Sequence, residues 1–380
     1  MSSVQKKSAR FSLADARTIC CILLIALVQP VFGGTLELEE LIQNEMKQQH
    51  IVGLTAAIVK NEKLVWTKGF GLANKEKKLK VVDSTPFLIA SVSKAVTSVA
   101  LMTLYDRGLI ALDDPINTYL PFAINHPRYP NSSITFRMLL AHTSGISDEG
   151  YDDLDLYAYG KDSSIALKTF IRDYFTPEGR YYDADRSFTG DRPGTSSSYS
   201  NMGFALLGYL VEVIAKTPFD QYCKNVIFKP LQMNRTAWFL RELPLKEIAM
   251  PYSRKGKPYG HYTFPDYPNG QLRTTATDLS HFLSMFIQYG TYKGHEILKR
   301  ATVELMRRVS FPKVDPEMGL GWFYQAFNRK RFFGHNGGEQ GVTSNMFFNP
   351  KTGVGGIVIS TGDDNDLDRI LLKLIETGEG

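Results

Sequence analysis

The segments of this 380-residue chain that favour β-strands lie near its two ends, and the long stretch between them favours helices and loops. Two apolar runs at 52–59 and 64–70 flank Asn61-Glu62 and are typical of a hairpin. Further strand-like runs lie at 319–324, 331–335, 342–348 and 354–360. We therefore predict an α/β (α+β) fold, with an antiparallel sheet built from both chain ends and flanked by helices.

The predicted helices flank these strands and fill the middle of the chain, with apolar residues recurring every three or four positions. They lie at 36–49, from Ser91 to Gly108, at 202–215, at 277–288 and at 365–375. Residues 111–200 are rich in Pro, Asp, Ser and Tyr and favour loops. One domain is predicted over 34–380. Its α/β lobe covers about 34–90 and 290–380, and an inserted, mostly helical lobe covers about 91–289.

The first 33 residues have the pattern of a secretory signal peptide. The basic residues are Lys6, Lys7, Arg10 and Arg17. An apolar run at 19–28 follows them, and Val31 and Gly33 favour cleavage before Gly34. The run is shorter than the roughly 20 residues of a membrane-spanning helix. We predict an exported protein, periplasmic or secreted. The alternative is an uncleaved anchor, and a membrane partner is predicted only in that case.

Removal of this segment changes the charge and cysteine content. Residues 1–33 carry four basic side chains and one acidic one, so the formal charge falls from +5 to +2. Cys20 and Cys21 are lost with them, and Cys223 has no partner for an internal disulfide. The remaining chain has no basic run with interleaved aromatic residues, so no nucleic-acid partner is predicted.

Motifs for metals and large cofactors are missing from the sequence. The seven histidines form no His-Glu-x-x-His pair, and there is no phosphate-binding loop or dinucleotide fingerprint. A Gly-x-Ser-x-Gly elbow is also missing, which argues against an α/β-hydrolase. We predict no metal and no cofactor.

Ser91 and Lys94 are the first candidate catalytic pair. Three residues apart on a helix, they share one face, and a partly neutral amine there can take the proton of a serine hydroxyl. A helix N-terminus also places a positive dipole end where a carbonyl oxygen gains charge. The same spacing occurs at Ser3 and Ser310, so it is weak evidence alone.

Two further motifs strengthen this candidate. In Tyr199-Ser200-Asn201, a phenol can move protons and an amide can hold a substrate carbonyl. The motif 334–338, Gly-His-Asn-Gly-Gly, ends a predicted strand, and its glycines allow substrate backbone to approach closely. His335, Gly337 and Gly338 are therefore candidate site residues. His142 is expected to have a structural hydrogen-bonding role.

Ser-x-x-Lys, Tyr-x-Asn and His-x-Gly in this order resemble the serine β-lactamase and D,D-peptidase superfamily, in its class C β-lactamase-related branch. The segments 87–94, 112–115, 140–145, 228–231 and 319–322 match further stretches of that branch. The resemblance implies a β-lactamase/transpeptidase-like fold.

The resemblance also implies roles for the site residues. Ser91 is the acylated nucleophile, Lys94 helps to deprotonate it, and Tyr199 relays protons. Asn201 holds a substrate amide. The backbone N–H groups of Ser91 and Gly338 form the oxyanion hole, with Gly337 beside them in the substrate-binding strand.

His335 stands where this family usually has the lysine of Lys-Thr-Gly. The chain does contain Lys351-Thr352-Gly353, but that triplet follows Asn349-Pro350 between two predicted strands and is typical of a hairpin turn. A histidine near its ordinary pKa of about 6.5 is mostly neutral at pH 7. We therefore expect weaker binding of carboxylates, improving below about pH 6.5 as His335 gains charge.

The predicted function is an exported serine hydrolase that forms an acyl-enzyme on amides or esters. D-amino-acid peptides of the cell wall, as in a D,D-carboxypeptidase, are placed ahead of β-lactams. A carboxylesterase on the same site and a non-catalytic peptide-binding protein are the alternatives. The loops 148–195 and 252–272 either wall the cleft or carry buried aromatic side chains, and both readings stay open.

Overall fold

A computed structural model describes residues 29–380 of the chain. The predicted apolar run at 19–28 and the basic residues before it lie outside these described residues, so the signal peptide stays a prediction. The first described helix begins at Gln29, ahead of the predicted cleavage position at Gly34.

The helices of the described residues lie at both chain ends and throughout the middle. In chain order they are α1 (Gln29–Gln48), α2 (Ser93–Asp106), α3 (Phe136–Leu140), α4 (Glu149–Asp152), α5 (Leu167–Phe175), α6 (Asn201–Ala215), α7 (Phe219–Cys223), α8 (Ala276–Ile287), α9 (Arg300–Arg307) and α10 (Asp368–Glu379). Single 3₁₀ turns occur at Ala90–Val92, Ile116–Thr118, Leu240–Glu242, Leu245–Glu247 and Tyr267–Asn269, and a π-helical turn at Lys224–Phe228.

The longer strands lie at the two ends of the chain, and the short ones lie mostly between them. They are β1 (Gly53–Lys60), β2 (Lys63–Asn74), β3 (Leu79–Lys80), β4 (Phe87–Leu88), β5 (Ala158–Tyr159), β6 (Tyr262–Thr263), β7 (Arg273–Thr274), β8 (Thr291–Tyr292), β9 (His295–Glu296), β10 (Phe323–Phe327), β11 (Lys330–Glu339), β12 (Val342–Phe348) and β13 (Gly355–Thr361).

One seven-stranded sheet joins the two ends of the chain. Its order is β10-β11-β12-β13-β1-β2-β3, and every neighbouring pair is antiparallel. The central pairing runs from Leu54 opposite Ser360 to Val59 opposite Gly355. The predicted antiparallel sheet built from both chain ends is confirmed.

Several predicted strand bounds are wrong, and β2, predicted to end at residue 70, ends at Asn74. The predicted strand 319–324 begins only at Phe323, because Gly321 has a φ of +71°, outside the extended region, and lies tight against Ser98. Conversely, β11 continues past His335 to Glu339. Gly337 and Gly338 do not end the strand, because the backbone pairing with β12 continues through them.

Hydrophobic side chains cover both faces of the sheet, as the alternation of β1 shows. Leu54 and Ile58 face one core, formed with α1 and α10. Ala57 and Val59 face the other, which contains α8 and much of the chain between the sheet segments. A strand buried on both faces is the natural centre of such a layered fold.

Within the middle of the chain, α2 is surrounded by protein. Its residues from Ser93 to Leu104 are buried, and it packs against α6. This placement holds Ser91, just ahead of α2, at the inner end of a rigid helix.

Among residues 29–380, no single helix has the length and apolar character needed to cross a bilayer. Only the pair formed by α6 and Phe219–Phe228, bent by 77°, meets those two criteria together.

We expect Leu38→Ala to lower the free energy of unfolding by about 2–5 kcal/mol, because Leu38 is fully buried where α1 packs on the sheet. Leu36→Ala, on the same helix but 62% exposed, should change it by less than about 0.5 kcal/mol. Urea unfolding at pH 7 measures both. Equal effects would contradict the packing of α1.

Candidate active site

Ser91 lies in a strained turn at the start of α2. The preceding Ala90 is buried and has a φ of +47°, which is uncommon for a residue with a side chain. Neighbouring strands hold the turn: Ile89 N donates to Leu272 O at 3.0 Å, and Ile89 O accepts from Ser344 Oγ at 2.8 Å. Strain of this kind is typical of functional sites, where the surrounding structure maintains it.

Lys94 is fully buried and lies directly beside Ser91. Its Nζ is 3.1 Å from Ser91 Oγ, 2.7 Å from Asn201 Oδ1 and 2.8 Å from the backbone oxygen of Asn269. The structure therefore brings Asn201 to the Ser91–Lys94 pair, although it lies 107 residues after Lys94 in the chain. Asn269 was not predicted as a site residue; it ends the 3₁₀ turn Tyr267–Asn269.

Burial changes the protonation of Lys94. Loss of solvation lowers the pKa of its ammonium group to about 7, although the carboxylates of Asp148, Asp266 and Glu339 act in the opposite direction. A lysine with this pKa is about half neutral at pH 7. It can therefore accept a proton, which an ordinary surface lysine cannot do at that pH.

Asp148 fixes the start of α6 and with it the tyrosine motif. Its carboxylate accepts from Ser200 Oγ at 2.9 Å, from Asn201 N at 2.6 Å and from Met202 N at 3.0 Å. The two N–H groups are among those that the first turn of a helix leaves without partners. Tyr199 and Asn201 are thereby held on either side of the capping residue Ser200.

His142 packs against Tyr199 and holds the next residue. The two rings stack with centroids 4.3 Å apart, and Ser200 N donates to His142 Nδ1 at 3.0 Å. The expected hydrogen-bonding role of His142 is confirmed. Lys94 Nζ lies 4.9 Å from the centre of the Tyr199 ring.

Tyr199 keeps its proton at neutral pH. Although 45% of its surface is exposed, loss of solvation raises the pKa of its hydroxyl, and the neighbouring Ser91 hydroxyl opposes this only in part. The phenol is thus a proton donor in the resting site.

His335 lies near Tyr199, with ring centroids 6.5 Å apart, and is buried. Its Nδ1 is 2.6 Å from Asn336 O, so Nδ1 carries the hydrogen and Nε2 the lone pair. Burial, and then the charge of Lys94, lower the pKa of His335 to about 3. The expectation that His335 becomes charged below pH 6.5 is therefore wrong, because a desolvated imidazole beside an ammonium stays neutral.

The Lys351-Thr352-Gly353 triplet lies in the turn between β12 and β13. Gly353 N donates to Asn349 O at 2.8 Å, and Lys351 is exposed. The interpretation of this triplet as a hairpin turn is confirmed.

Residues 38–376 match the family model described as Beta-lactamase. The chain belongs to this family. It is 28% identical over 335 residues to Protein flp of Staphylococcus aureus strain MW2, a match that covers 85% of this chain and 62% of that protein. The chain thus spans less than two thirds of that relative.

Two solved structures show the same β-lactamase-family fold. The octameric penicillin-binding protein homologue from Pyrococcus abyssi has a TM-score of 0.69 and 24% identity, covering 88% of this chain and 75% of that one. The D-alanine carboxypeptidase AmpC from Burkholderia cenocepacia has a TM-score of 0.68 and 20% identity, covering 90% and 97%. At these identities the likeness establishes the fold.

In this β-lactamase-family chain, Gly337 allows β11 to approach the Ser91 turn. A Cβ at Gly337 would lie 2.8 Å from Ser91 N and 2.7 Å from Ile89 O, closer than real contacts allow. A Cβ at Gly338 would meet nothing within 4 Å. The close approach of the two backbones therefore requires glycine at position 337 but not at position 338.

The loops 148–195 and 252–272 meet each other through the pairing of β5 with β6. Tyr262 is buried, as are Phe264 and Tyr267, whereas Tyr159 and Tyr259 are 49% and 37% exposed. The interpretation as loops with buried aromatic side chains therefore holds for Tyr262, Phe264 and Tyr267. The interpretation that the loops wall the cleft stays a prediction.

Several site residues were missed in the sequence. Asp148, Asp266 and the backbone of Asn269 all act on Lys94 or on the tyrosine motif, and each comes from a loop without a motif of its own. Within residues 29–380, no group of three or more His, Cys, Asp or Glu residues could hold a metal ion.

We expect Gly337→Ala to lower the free energy of unfolding by about 1–3 kcal/mol, because β11 must move away from the Ser91 turn. Gly338→Ala should change it by no more than about 1 kcal/mol, since its Cβ has open space. Urea unfolding compares the two variants, and equal losses would contradict the close approach.

Proposed function

We propose that this protein is a serine hydrolase that forms an acyl-enzyme at Ser91. The hydrogen bonding of Lys94 carries the proposal. Asn201 Oδ1 and Asn269 O can only accept hydrogen bonds. A neutral Lys94 amine gives its two hydrogens to them, which leaves its lone pair for the Ser91 hydroxyl 3.1 Å away.

The proposed reaction has two steps. Ser91 Oγ attacks the substrate carbonyl as its proton passes to Lys94 Nζ, and the N–H groups of Ser91 and Gly338 stabilise the oxyanion. The carbonyl re-forms, and the bond to the leaving group breaks as Tyr199 donates its proton to that group. Lys94 returns a proton to Tyr199. Water then attacks the acyl-enzyme, giving up a proton to this relay, and Ser91 leaves with a proton restored.

Asn201 and His335 have supporting roles in this proposal. Asn201 Oδ1 orients Lys94 and leaves its amide nitrogen for a substrate carbonyl. His335 supplies a neutral ring with a free lone pair beside Tyr199, since its buried Nε2 has no hydrogen-bond partner among the described residues. Gly337 sets the distance between the strand and Ser91.

Neutral esters and amides are the substrates that we propose first. An uncharged His335 supplies no positive charge for a carboxylate next to the scissile bond. This argues against β-lactams as substrates. A D,D-carboxypeptidase activity is the second candidate. The same lack of charge at His335 places it behind neutral esters and amides, and Arg254 and Lys255, which line a cavity with Gly338, are the cations that would bind its peptide carboxylate. A protein that only binds peptides would not need the contact between Ser91 and Lys94.

We also propose export, on the basis of residues 1–33. N-terminal sequencing of the protein from its native host tests this, and an intact Met1 start would contradict cleavage.

We expect intact-mass analysis to detect a covalent acyl group after mixing with p-nitrophenyl acetate, and Ser91→Ala to abolish both the adduct and turnover. Ser310→Ala is the matched control, because Ser310 begins the other Ser-x-x-Lys of the described chain. Penicillin and a D-Ala-D-Ala peptide run in parallel distinguish the substrate classes. Unchanged turnover in Ser91→Ala would refute the mechanism.

We expect kcat/KM for a neutral ester to rise with pH through about 7 and then to level off. Lys94 is protonated below its pKa of about 7 and then cannot accept the Ser91 proton. The rate should fall about tenfold per pH unit on the acid side. A profile that stays flat from pH 5.5 to 8.5 would show that Lys94 is not the base.

A further inference from the structure

Glu339 points into the cleft beside Ser91. Side chains alternate along a strand, so His335, Gly337 and Glu339 lie on one face of β11. At Gly337 this face looks directly onto the Ser91 backbone. Glu339 therefore emerges on the Ser91 side, about 7 Å further along the strand. Burial raises the pKa of the Glu339 carboxyl, whereas hydrogen bonds from Gln340 and Tyr157 and the charge of Lys94 lower it.

The carboxylate of Glu339 is held in place by one of its oxygens. Oε1 accepts from Tyr157 Oη at 2.9 Å and from Gln340 N at 2.8 Å. No hydrogen bond from the described residues reaches Oε2. A fixed carboxylate with one oxygen still available is a ready acceptor for a cation.

Other acidic groups near Lys94 are already used. Asp148 caps α6, and Asp266 accepts from Tyr151 Oη at 2.6 Å and from the side chain of Asn269. His335 is neutral, and the charge that Lys94 carries below its pKa of about 7 is directed at Ser91, Asn201 and Asn269. Glu339 is the one of these three carboxylates with an oxygen left for a ligand.

Glu339 lines a cavity of about 590 Å³ that also includes Gly338 and Gln340. Two partly exposed tyrosines lie at its edge, with Tyr159 Oη 3.1 Å from Gln340 Oε1 and Tyr259 Oη 2.9 Å from Asp363 Oδ2. Carboxylates with nearby aromatic rings form a suitable environment for an ammonium group.

The cations that line this cavity are Arg254 and Lys255. Both are exposed, and both also line a second cavity with Met46 and Lys75. The Arg254 guanidinium donates to the backbone oxygens of Asp363 and Asp364, which complete the cavity wall. Glu339 is the acidic side chain of this cavity that lies on the Ser91 face of β11.

We propose that Glu339 binds the ammonium group of a substrate whose scissile ester or amide carbonyl lies at Ser91. The substrate class is thus aminoacyl esters and amides, including the N-terminal residue of a peptide. This inference rests on the proposed function, because it assumes acyl transfer to Ser91. Glu339 is then the residue that determines specificity and takes no part in the bond changes.

Three esters of similar size test the proposal on the full-length protein: the p-nitrophenyl esters of 3-aminopropanoate, butanoate and hydrogen succinate. They carry an ammonium, a methyl and a carboxylate group, respectively, at the same position of the acyl chain. We expect kcat/KM to be about tenfold higher for the ammonium ester than for the neutral one, and lowest for the carboxylate ester.

Variants of Glu339 test whether this residue causes the preference for the ammonium ester. At pH 8.5, where Lys94 is neutral with or without the Glu339 charge, Glu339→Gln should remove the preference for the ammonium ester and leave the neutral ester within about twofold. Glu339→Lys should make the carboxylate ester the better substrate. Glu296→Gln, an exposed glutamate on β9, is the matched control and should change neither ratio.

Equal rates of wild-type enzyme on the three esters would overturn the proposal, and so would a preference retained in Glu339→Gln. Loss of neutral-ester turnover in both Glu339 variants would also overturn it, because a residue that only binds ammonium is not needed there. If Ser91→Ala still turns over the neutral ester, the proposed function fails instead. The two failures are therefore distinguishable.

Discussion

The pairing of β1 with β13 is the interaction on which the rest of the structure depends. It joins strands about 300 residues apart, and loop closure over such a distance costs entropy before any site contact forms. Burial on both faces of the sheet offsets that cost. Once β13 is in place, β12 and β11 follow as antiparallel neighbours, and Gly337 reaches the Ser91 turn. The active site is thus a consequence of closing the sheet, since Ser91 and β11 come from opposite sides of the inserted chain.

The second constraint is the burial of a potential charge at Lys94. A buried ammonium is costly unless its hydrogens are all donated. Three acceptors meet this requirement: Ser91 Oγ, Asn201 Oδ1 and Asn269 O. Desolvation nevertheless lowers the pKa of Lys94 to about 7 and raises that of Asp266 to about 6. Both groups therefore have pKa values close to neutral pH. The same burial that makes the site costly to fold makes its amine able to accept a proton.

Much of this site could be predicted because three of its parts carry local motifs. Ser91 and Lys94 share a helix face, and Tyr199 and His335 each lie in a short motif at fixed spacing. Helix and strand positions in the long periodic segments were also predictable. The failures have a common cause, which is that desolvation and tertiary contact have no local pattern. The pKa of His335 depends on burial by residues from other elements, and the cap at the start of α6 comes from Asp148, 52 residues before Ser200.

The replacement of a lysine-type third motif by His335 has a meaning that only the structure supplies. Had the histidine been exposed, it would still have offered a carboxylate some positive charge in mild acid. Buried beside Lys94, it offers none, and the next residue on the same face of β11 beyond Gly337 is the acid Glu339. A lysine at position 335 would favour anionic substrates. On β11 that position is the neutral His335, and the acid Glu339 follows on the same face. The charge order along β11, in register with Ser91, is therefore the strongest support for the proposed substrate class.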